Sequence, residues 1–272
     1  MPHVRAGDIR MHYEEKGHGP EAILFVHGNI ASWRWWEEVM DLLPEEEYSS
    51  YALDSRGCGL TDKPDRGHSI EQFAEDVEAF ADALDLEEFT LVGHSLGGAT
   101  ALRYSIRYPH RLKRLVLLNP PPAEGVKIAR YGQPLFGYWR RDKRALGRAL
   151  KRTAPARAYD PFFEKLVDEA FGAGGQVFEG NARALAEMDL SGELGRIKVP
   201  PLLIAGGMSG WSSLRGIRKM HRAIPNSRLR IVRGVGHSLN VEDPRKFVDL
   251  LVGFCGETGR PAAATYGGPR GD

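Results

Sequence analysis

Ser95 is the residue whose neighbours point most directly to chemistry. It lies in the segment Gly-His-Ser-Leu-Gly at 93–97, after four strand-like residues at 89–92 and before a helix-prone run from Ala99. A G-x-S-x-G sequence between strand and helix makes the backbone turn sharply at the serine, and flanking glycines let both elements pass closely. The pattern predicts a serine hydroxyl at a helix N-terminus, where backbone N–H groups can face developing negative charge. The alternative is an ordinary strand-to-helix turn, because a lone motif of this kind arises often by chance.

A histidine late in the chain can supply the base that such a serine needs. Serine alone is a poor nucleophile near neutral pH and requires a base within hydrogen-bond reach. His237 follows a strand-like run, in the sequence Gly-His-Ser at 236–238. We interpret the other eight histidines as surface or core residues, including His94, which adjoins the nucleophile and is expected to be structural.

Alternating strands and helices must position these residues. The continuous apolar run Ala22–Val26 predicts a strand covered on both faces, and Ser69–Leu84 has the apolar spacing of a helix. Further strands are predicted at Tyr48–Leu53, Leu112–Leu118, Leu202–Ala205 and Arg228–Val232, and further helices at Ser32–Leu43, Leu214–Ala223 and Asp243–Phe254. Residues 3–16 are predicted to form a hairpin around Gly7-Asp8. Repeated β-α units predict an α/β fold with a mostly parallel central sheet flanked by helices.

The alternation is interrupted between 120 and 195. Three prolines at 120–122 do not extend a strand, and the residues that follow are helix-prone, aromatic and basic. We therefore predict a core of residues 1–119 and 196–256, an inserted helical cap at 120–195, and a disordered tail at 257–272.

Four motifs together resemble those of the α/β-hydrolase superfamily, in its serine-nucleophile, esterase-like branch. They are His27-Gly28-Asn29, Asp54-x-Arg56-Gly57-x-Gly59, Gly93-x-Ser95-x-Gly97 and Gly236-His237. The resemblance extends from residue 3 to about 255. It is specific evidence for the fold but weak evidence for the substrate, because this fold supports many reactions.

The resemblance implies a role for each of several residues. Ser95 would be the nucleophile, His237 the general base, and the backbone N–H groups of Asn29 and Leu96 the oxyanion hole. Asp54 and Arg56 would form a structural loop pair. Haloalkane dehalogenases and epoxide hydrolases of this superfamily use an aspartate at the nucleophile position, so a serine implies acyl transfer or a related cleavage with the same base.

The third member of the triad departs from the family pattern. The family order is serine, acid, histidine. Ser209 occupies the usual acid position after the strand Leu202–Ala205, and Asn119 occupies the alternative position after the preceding strand. Three explanations remain: the Asn119 side chain orients His237, a carboxylate such as Glu124 reaches in, or the site is crippled by nature or by design.

Composition excludes several classes of function. The net charge is +1, which disfavours general nucleic-acid binding. Two cysteines allow no disulfide framework or cysteine metal cluster, and we expect no metal or other cofactor. No signal-peptide pattern or run of about 18 apolar residues is present, so a cytoplasmic protein without a membrane span is the expectation.

The expected partner is a small-molecule ester or acyl compound with an apolar portion. Aromatic residues of the insertion and of the segment 33–36 are predicted to line a pocket: Trp33, Trp35, Trp36, Tyr131, Phe136, Tyr138, Trp139, Phe162 and Phe163. Residues 126–157 contain ten Lys or Arg and one acid, which fits a solvated face or a field that attracts an anionic substrate. Oligomeric state is not predicted.

Three functions fit these residues. The first is a cofactor-free serine hydrolase that cleaves a carboxylic ester through an acyl-enzyme. The second is hydrolysis of a carbon–carbon bond, or a lyase reaction, on the same scaffold. The third is a ligand-binding or receptor-like protein with a degenerate triad. The missing acid favours the third function, whereas the serine motif, the segment His27-Gly28-Asn29 (here called the oxyanion loop) and the histidine favour the first.

Overall fold

Eight strands form one sheet in the computed structural model, which describes residues 2–127, 133–210 and 213–257. They are β1 (His3–Ala6), β2 (Ile9–Lys16), β3 (Glu21–Val26), β4 (Tyr48–Leu53), β5 (Phe89–His94), β6 (Leu112–Leu118), β7 (Leu202–Gly206) and β8 (Arg228–Val232). Their order is β1-β2-β4-β3-β5-β6-β7-β8. β2 is antiparallel to both of its neighbours, and all other pairs are parallel. The predicted mostly parallel sheet and N-terminal hairpin are confirmed.

Helices cover both faces of this sheet. They are α1 (Glu37–Leu42), α2 (Ile70–Ala83), α3 (Leu96–Arg107), α8 (Leu214–Ala223), α9 (Leu239–Glu242) and α10 (Pro244–Gly256), with four more helices between α3 and α8. α2, α3 and α8 pack on one face through residues such as Phe73, Leu102 and Met220. α1 and α10 pack on the other through Val39 and Phe247. Because both faces are covered, the central strands are deeply buried, as in β5, where all six residues are buried.

Local sequence accounts for the helix boundaries. The Ser69 side chain accepts the N–H of Gln72 and so caps α2, whose apolar face is buried as its spacing predicted. The segment 32–43, predicted as one helix, contains a short 3₁₀ helix at Trp33–Trp36 followed by α1. The Asp54 carboxylate accepts the Trp33 N–H at 2.7 Å, which fixes the start of that 3₁₀ turn.

In its described residues, the segment between β6 and β7 contains helices joined by turns and loops, and no strand. It contains α4 (Gln133–Trp139), α5 (Lys143–Lys151), α6 (Pro161–Phe171) and α7 (Gly175–Glu187), here called the inserted helices. Their buried side chains form a core of their own that also includes Ile30, Trp35 and Val241. The inserted helices therefore pack against residues that follow β3 and β8. Tyr131 and the tail beyond Glu257 lie outside the described residues.

Candidate active site

Ser95 has the backbone conformation of a sharp strand-to-helix turn. Its φ of 52° and ψ of −114° lie between β5 and the first turn of α3. A Cβ on Gly93 would lie 2.2 Å from the carbonyl oxygen of Gly97, and one on Gly97 would lie 2.3 Å from that of Val26. Both positions therefore require glycine, because strand and helix touch there through their backbones. The Ser95 N–H donates to the carbonyl of Leu118 at 3.0 Å, which ties the turn to β6.

Two backbone N–H groups beside Ser95 are available to a ligand. The Leu96 N–H opens α3, and the Asn29 N–H follows β3; neither donates to any residue within 2–127, 133–210 and 213–257. A Cβ on Gly28 would lie 3.3 Å from the Ser95 Cβ, so the loop at 27–29 passes directly beside the nucleophile. Free N–H groups next to a serine at a helix N-terminus have the character of an oxyanion hole.

His27 fixes the core side of this loop. Its Nε2 accepts the N–H of Ser55 at 2.9 Å, and its Nδ1 donates to the carbonyl of Gly28 at 2.8 Å. Burial lowers the pKa of His27 below 6.5 and keeps the ring neutral at neutral pH. Here the first residue of the His-Gly-Asn motif shapes the loop rather than meeting a substrate.

His237 is held by its backbone at the carboxyl ends of the strands. Its N–H donates to the carbonyl of Thr153 at 2.8 Å, and its carbonyl accepts the Nε2 hydrogen of His94 at 3.0 Å. His94 therefore holds the main chain of His237 through this hydrogen bond. The ring of His94 also stacks against that of Trp35, with 6.0 Å between the ring centroids. This agrees with the structural role predicted for His94.

The side chain of Ser209 contacts the His237 ring. The Ser209 hydroxyl lies 3.0 Å from Nδ1, in the position where relatives are expected to have an acid. Burial, and to a lesser extent His94, lower the pKa of His237 well below 6.5, and burial lowers that of His94 to about 4. Both rings are thus neutral at neutral pH. Within the described residues, Ser95 Oγ makes no hydrogen bond, so its contact with Nε2 is not formed in this structure; such bonds often tighten only on substrate binding.

The structure corrects the prediction for Asn119. Its amide nitrogen donates to the carbonyl of His237 at 2.7 Å, and its oxygen accepts the N–H of Gly206 at 3.1 Å. Asn119 has φ of 43° at the end of β6, and this turn aims the amide between two backbones. These contacts position the main chain of His237, so the explanation in which the Asn119 side chain orients the ring is not supported by its hydrogen bonds. Glu124, the other proposed substitute, pairs with Lys219 at 3.0 Å instead of reaching His237.

Asp54 and Arg56 are structural, but they are not partners of each other. Asp54 is buried and accepts hydrogen bonds from His12 Nδ1 and the N–H groups of Trp33 and Leu60. Arg56 forms a buried ion pair with Asp76. The sequence pattern singled out neither His12 nor Asp76, because each lies far along the chain from the motif that it supports.

Two features are absent from the part of the chain that the structure describes. No group of three or more His, Cys, Asp or Glu side chains there could hold a metal ion. No described helix has the length and apolar composition needed to cross a membrane.

Comparisons with known proteins agree with this architecture. Residues 21–165 match the family model for the alpha/beta hydrolase fold. AB hydrolase superfamily protein YisY of Bacillus subtilis is 30% identical over 90% of this chain and 95% of its own length. A 2-hydroxy-6-oxo-2,4-heptadienoate hydrolase of Pseudomonas putida is 28% identical over 92% of this chain and 94% of that protein. The enol-lactonase from Burkholderia xenovorans LB400 superimposes with a TM-score of 0.85 at 24% identity, covering 94% of this chain and all of that one. The chain therefore belongs to the α/β-hydrolase family.

Proposed function

We propose that the protein is a serine hydrolase that cleaves carboxylic esters through an acyl-enzyme. The observation that carries the proposal is the conformation of Ser95, whose φ of 52° places a strained serine at the N-terminus of α3. Strain of this kind is retained at functional sites because the surrounding structure enforces it. The neighbouring free N–H groups of Asn29 and Leu96 supply a second, independent support.

The proposed mechanism gives each group one task. When Nδ1 of His237 donates its hydrogen to Ser209 Oγ, Nε2 has a lone pair that can take the Ser95 proton. Ser95 Oγ then bonds to the ester carbonyl carbon, and the N–H groups of Asn29 and Leu96 stabilise the oxygen that becomes negative. The proton on Nε2 passes to the leaving alkoxide, the alcohol departs, and water repeats the sequence on the acyl-enzyme.

Ser209 makes this machinery weaker than a triad with an acid. A hydroxyl can hold the ring, but it carries no charge to stabilise the imidazolium that forms during attack. The Ser209 hydroxyl can also donate its own hydrogen to Nδ1 of His237. That contact favours the tautomer with a hydrogen on Nε2, and in this tautomer Nε2 cannot take the Ser95 proton. In a serine protease, replacing the acid by a neutral amide lowers kcat by ~10⁴. We therefore expect slow but measurable turnover.

The inserted helices act as a cap in this proposal. The carbonyl of Thr153, just after α5, accepts the N–H groups of both His237 and Ser238. The ring of Phe163 on α6 meets that of Trp35 edge to face at 6.2 Å. Aromatic and aliphatic side chains over the nucleophile suit a substrate with an apolar acyl or alcohol portion.

Covalent labelling tests the proposal. A fluorophosphonate probe should modify Ser95, identified by mass spectrometry of the labelled peptide, and 4-nitrophenyl acetate or butyrate should be hydrolysed. Ser95→Ala should lose both properties. Equal labelling of Ser95→Ala, or equal ester hydrolysis by it, contradicts the assignment of the nucleophile.

A second candidate is carbon–carbon bond hydrolysis. It is favoured by the similarity to the 2-hydroxy-6-oxo-2,4-heptadienoate hydrolase, whose named substrate contains no ester. The test is a spectrophotometric assay with 2-hydroxy-6-oxo-2,4-heptadienoate as substrate. Loss of its absorbance with the wild-type protein, together with no turnover of nitrophenyl esters, favours this reaction over ester cleavage.

A third candidate is a ligand-binding protein with little turnover. It is favoured by the uncharged partner of His237 Nδ1. A burst of one equivalent of nitrophenol without further release would support this function, whereas continuous release supports the hydrolase.

A further inference from the structure

A hydrogen-bonded chain joins the inserted helices to the oxyanion loop. Asn181, on α7, is 2% exposed, and its amide nitrogen lies 3.0 Å from the side-chain oxygen of Asn29. Its amide oxygen lies 3.0 Å from Nδ1 of His68, whose Nε2 donates to the carbonyl of Pro64 at 3.2 Å. Where Nε2 of His68 carries the hydrogen, Nδ1 is an acceptor and the amide nitrogen of Asn181 faces it. Exchanging oxygen and nitrogen in the amides of both Asn181 and Asn29 then keeps the hydrogen bond between these two residues. A buried amide is thus anchored by the core at one end and bonded to the oxyanion loop at the other.

The oxyanion loop needs such a contact because it is strained. Ile30, the residue after Asn29, has φ of 52°, a conformation that a β-branched side chain rarely adopts. Ile30 is also buried, in one apolar cluster with residues of the inserted helices, including Val177 and Phe178 on α7. Strained backbone persists only where surrounding groups enforce it. On this side of the loop those groups come from the inserted helices.

Asn181 lines a small cavity that it shares with the loop at 27–29 and with the first residues of α3. The cavity is lined by Gly28, Leu96 and Asn181, together with residues of the core. The same cavity is therefore bounded by the oxyanion loop, by the residue after Ser95 and by α7. Asn181 therefore shares one cavity wall with the loop that carries Asn29 and with the start of α3.

We propose that Asn181 is a positioning residue that holds the Asn29 N–H in line for the oxyanion, so that the inserted helices complete the oxyanion hole. The inference rests on the proposed function, because it gives the Asn29 N–H that role. His27 secures the loop from the core side, and Asn181 secures it from the side of the insertion. Loss of Asn181 should allow the Asn29 N–H to turn away from the oxyanion while Ser95, His237 and the substrate pocket remain in place.

Asn181→Leu tests this while keeping the side-chain volume, and Asn181→Ala is a second variant in case the first does not fold. We expect kcat for a nitrophenyl ester to fall about 10- to 100-fold with KM unchanged, because the oxyanion contact matters in the transition state. In the background Asn29→Ala, where the partner amide is already absent, Asn181→Leu should have no further effect. A further loss of the same size in that background would show that Asn181 acts through another group, and would overturn the proposal.

The control is another contact between the inserted segment and the core. Arg157 forms a two-bonded ion pair with Glu38 on α1, at 2.8 and 3.1 Å. Glu38→Gln weakens that pair without touching the oxyanion loop, and kcat should stay within about twofold of wild type. An equal fall of kcat in Glu38→Gln would mean that general loosening of the insertion is the cause, which also overturns the proposal.

A nuclear magnetic resonance measurement separates this inference from the proposed function. The backbone amide resonance of Asn29, identified by its change in Asn29→Ala, should shift in Asn181→Leu and stay in place in Glu38→Gln. If it does so while the wild-type protein neither hydrolyses esters nor reacts with fluorophosphonate, the proposed function fails and the positioning claim stands. If the resonance does not respond to Asn181→Leu, the positioning claim fails whatever the activity.

Discussion

At position 209 the chain has a hydroxyl where a carboxylate would stabilise a charged His237. Because Ser209 Oγ already lies 3.0 Å from Nδ1, Ser209→Asp should place a carboxylate oxygen against the same atom. The charge favours the hydrogen on Nδ1 and stabilises the imidazolium, so we expect turnover of a simple ester to rise about 10-fold or more, toward the ~10⁴ limit seen in a serine protease. Steady-state kinetics on the folded variant provide the measurement.

The pH profile of the same variant gives a second readout. A base must be neutral to act, so kcat/KM rises with pH through the pKa of His237. That pKa lies well below 6.5 in the wild-type protein because the ring is buried. A carboxylate beside Nδ1 favours the charged form and should move the rising limb toward higher pH.

Asn119→Asp is the matched control, since it adds the same charge one strand away. It removes the amide hydrogen that His237 receives at its carbonyl oxygen and places a carboxylate oxygen there. Two acceptors then face each other, so this variant should lose stability and gain no activity. If Ser209→Asp folds and leaves the rate unchanged while Asn119→Asp raises it, the assignment of Ser209 to the acid position is wrong.

At the scale of elements, the contact between α3 and β3 sets the position of the nucleophile. A Cβ on Gly97 would lie 2.3 Å from the carbonyl oxygen of Val26, so Gly97→Ala must push α3 away from β3. We expect a loss of about 1–3 kcal/mol in the free energy of unfolding, together with a loss of ester turnover. Urea unfolding and a nitrophenyl ester assay measure the two effects.

Gly253→Ala on α10 is the comparison for this substitution. Nothing lies within 4 Å of the position that its Cβ would occupy. Alanine favours a helix over glycine by about 1 kcal/mol, so this variant should be slightly more stable and equally active. Similar losses in both variants would mean that the loss in Gly97→Ala does not come from the close approach of α3 and β3.

The elements themselves could be predicted from sequence because their signals are local. The bounds of α2 follow from apolar spacing and the capping hydroxyl of Ser69, and β3 follows from a continuous apolar run. Ser95 could be placed because the residues that shape its turn lie within two positions of it. Asn181 gave no such signal: its partners His68 and Asn29 lie 113 and 152 residues away, and one asparagine on a helix fits no motif.

Asn119 shows the limit of reasoning from strand order. Its position after β6 could be predicted, and so could its closeness to His237. The atom of His237 that Asn119 contacts depends on the positive φ of Asn119 and on the distances between the ends of β6, β7 and β8. Neither is encoded in local sequence, so the pattern placed the residue correctly but assigned the wrong contact.

At the scale of the whole molecule, three buried histidines make the fold sensitive to acid. Burial lowers the pKa values of His27, His94 and His237 below 6.5, the ordinary value expected in the unfolded chain. As pH falls below about 6.5, the unfolded chain binds protons that the folded protein excludes, so the free energy of unfolding decreases. Three such groups give a slope of up to about 4 kcal/mol per pH unit. Glu242 and Asp76 oppose this effect, because burial raises the pKa of both carboxyl groups.

Urea unfolding at about pH 7, 6 and 5 measures this slope. His94→Gln keeps an amide hydrogen for the carbonyl of His237 and removes one titrating ring, so the slope should fall by about 1.4 kcal/mol per pH unit. His18→Gln is the comparison at an exposed position, because the side chain of His18 is 67% exposed. An equal fall of the slope in that variant would mean that burial of the ring is not the cause. A free energy of unfolding that stays constant between pH 7 and 5 would show that the folded protein takes up these protons. In that case burial would not keep His237 neutral, and its readiness to act as a base would need another cause.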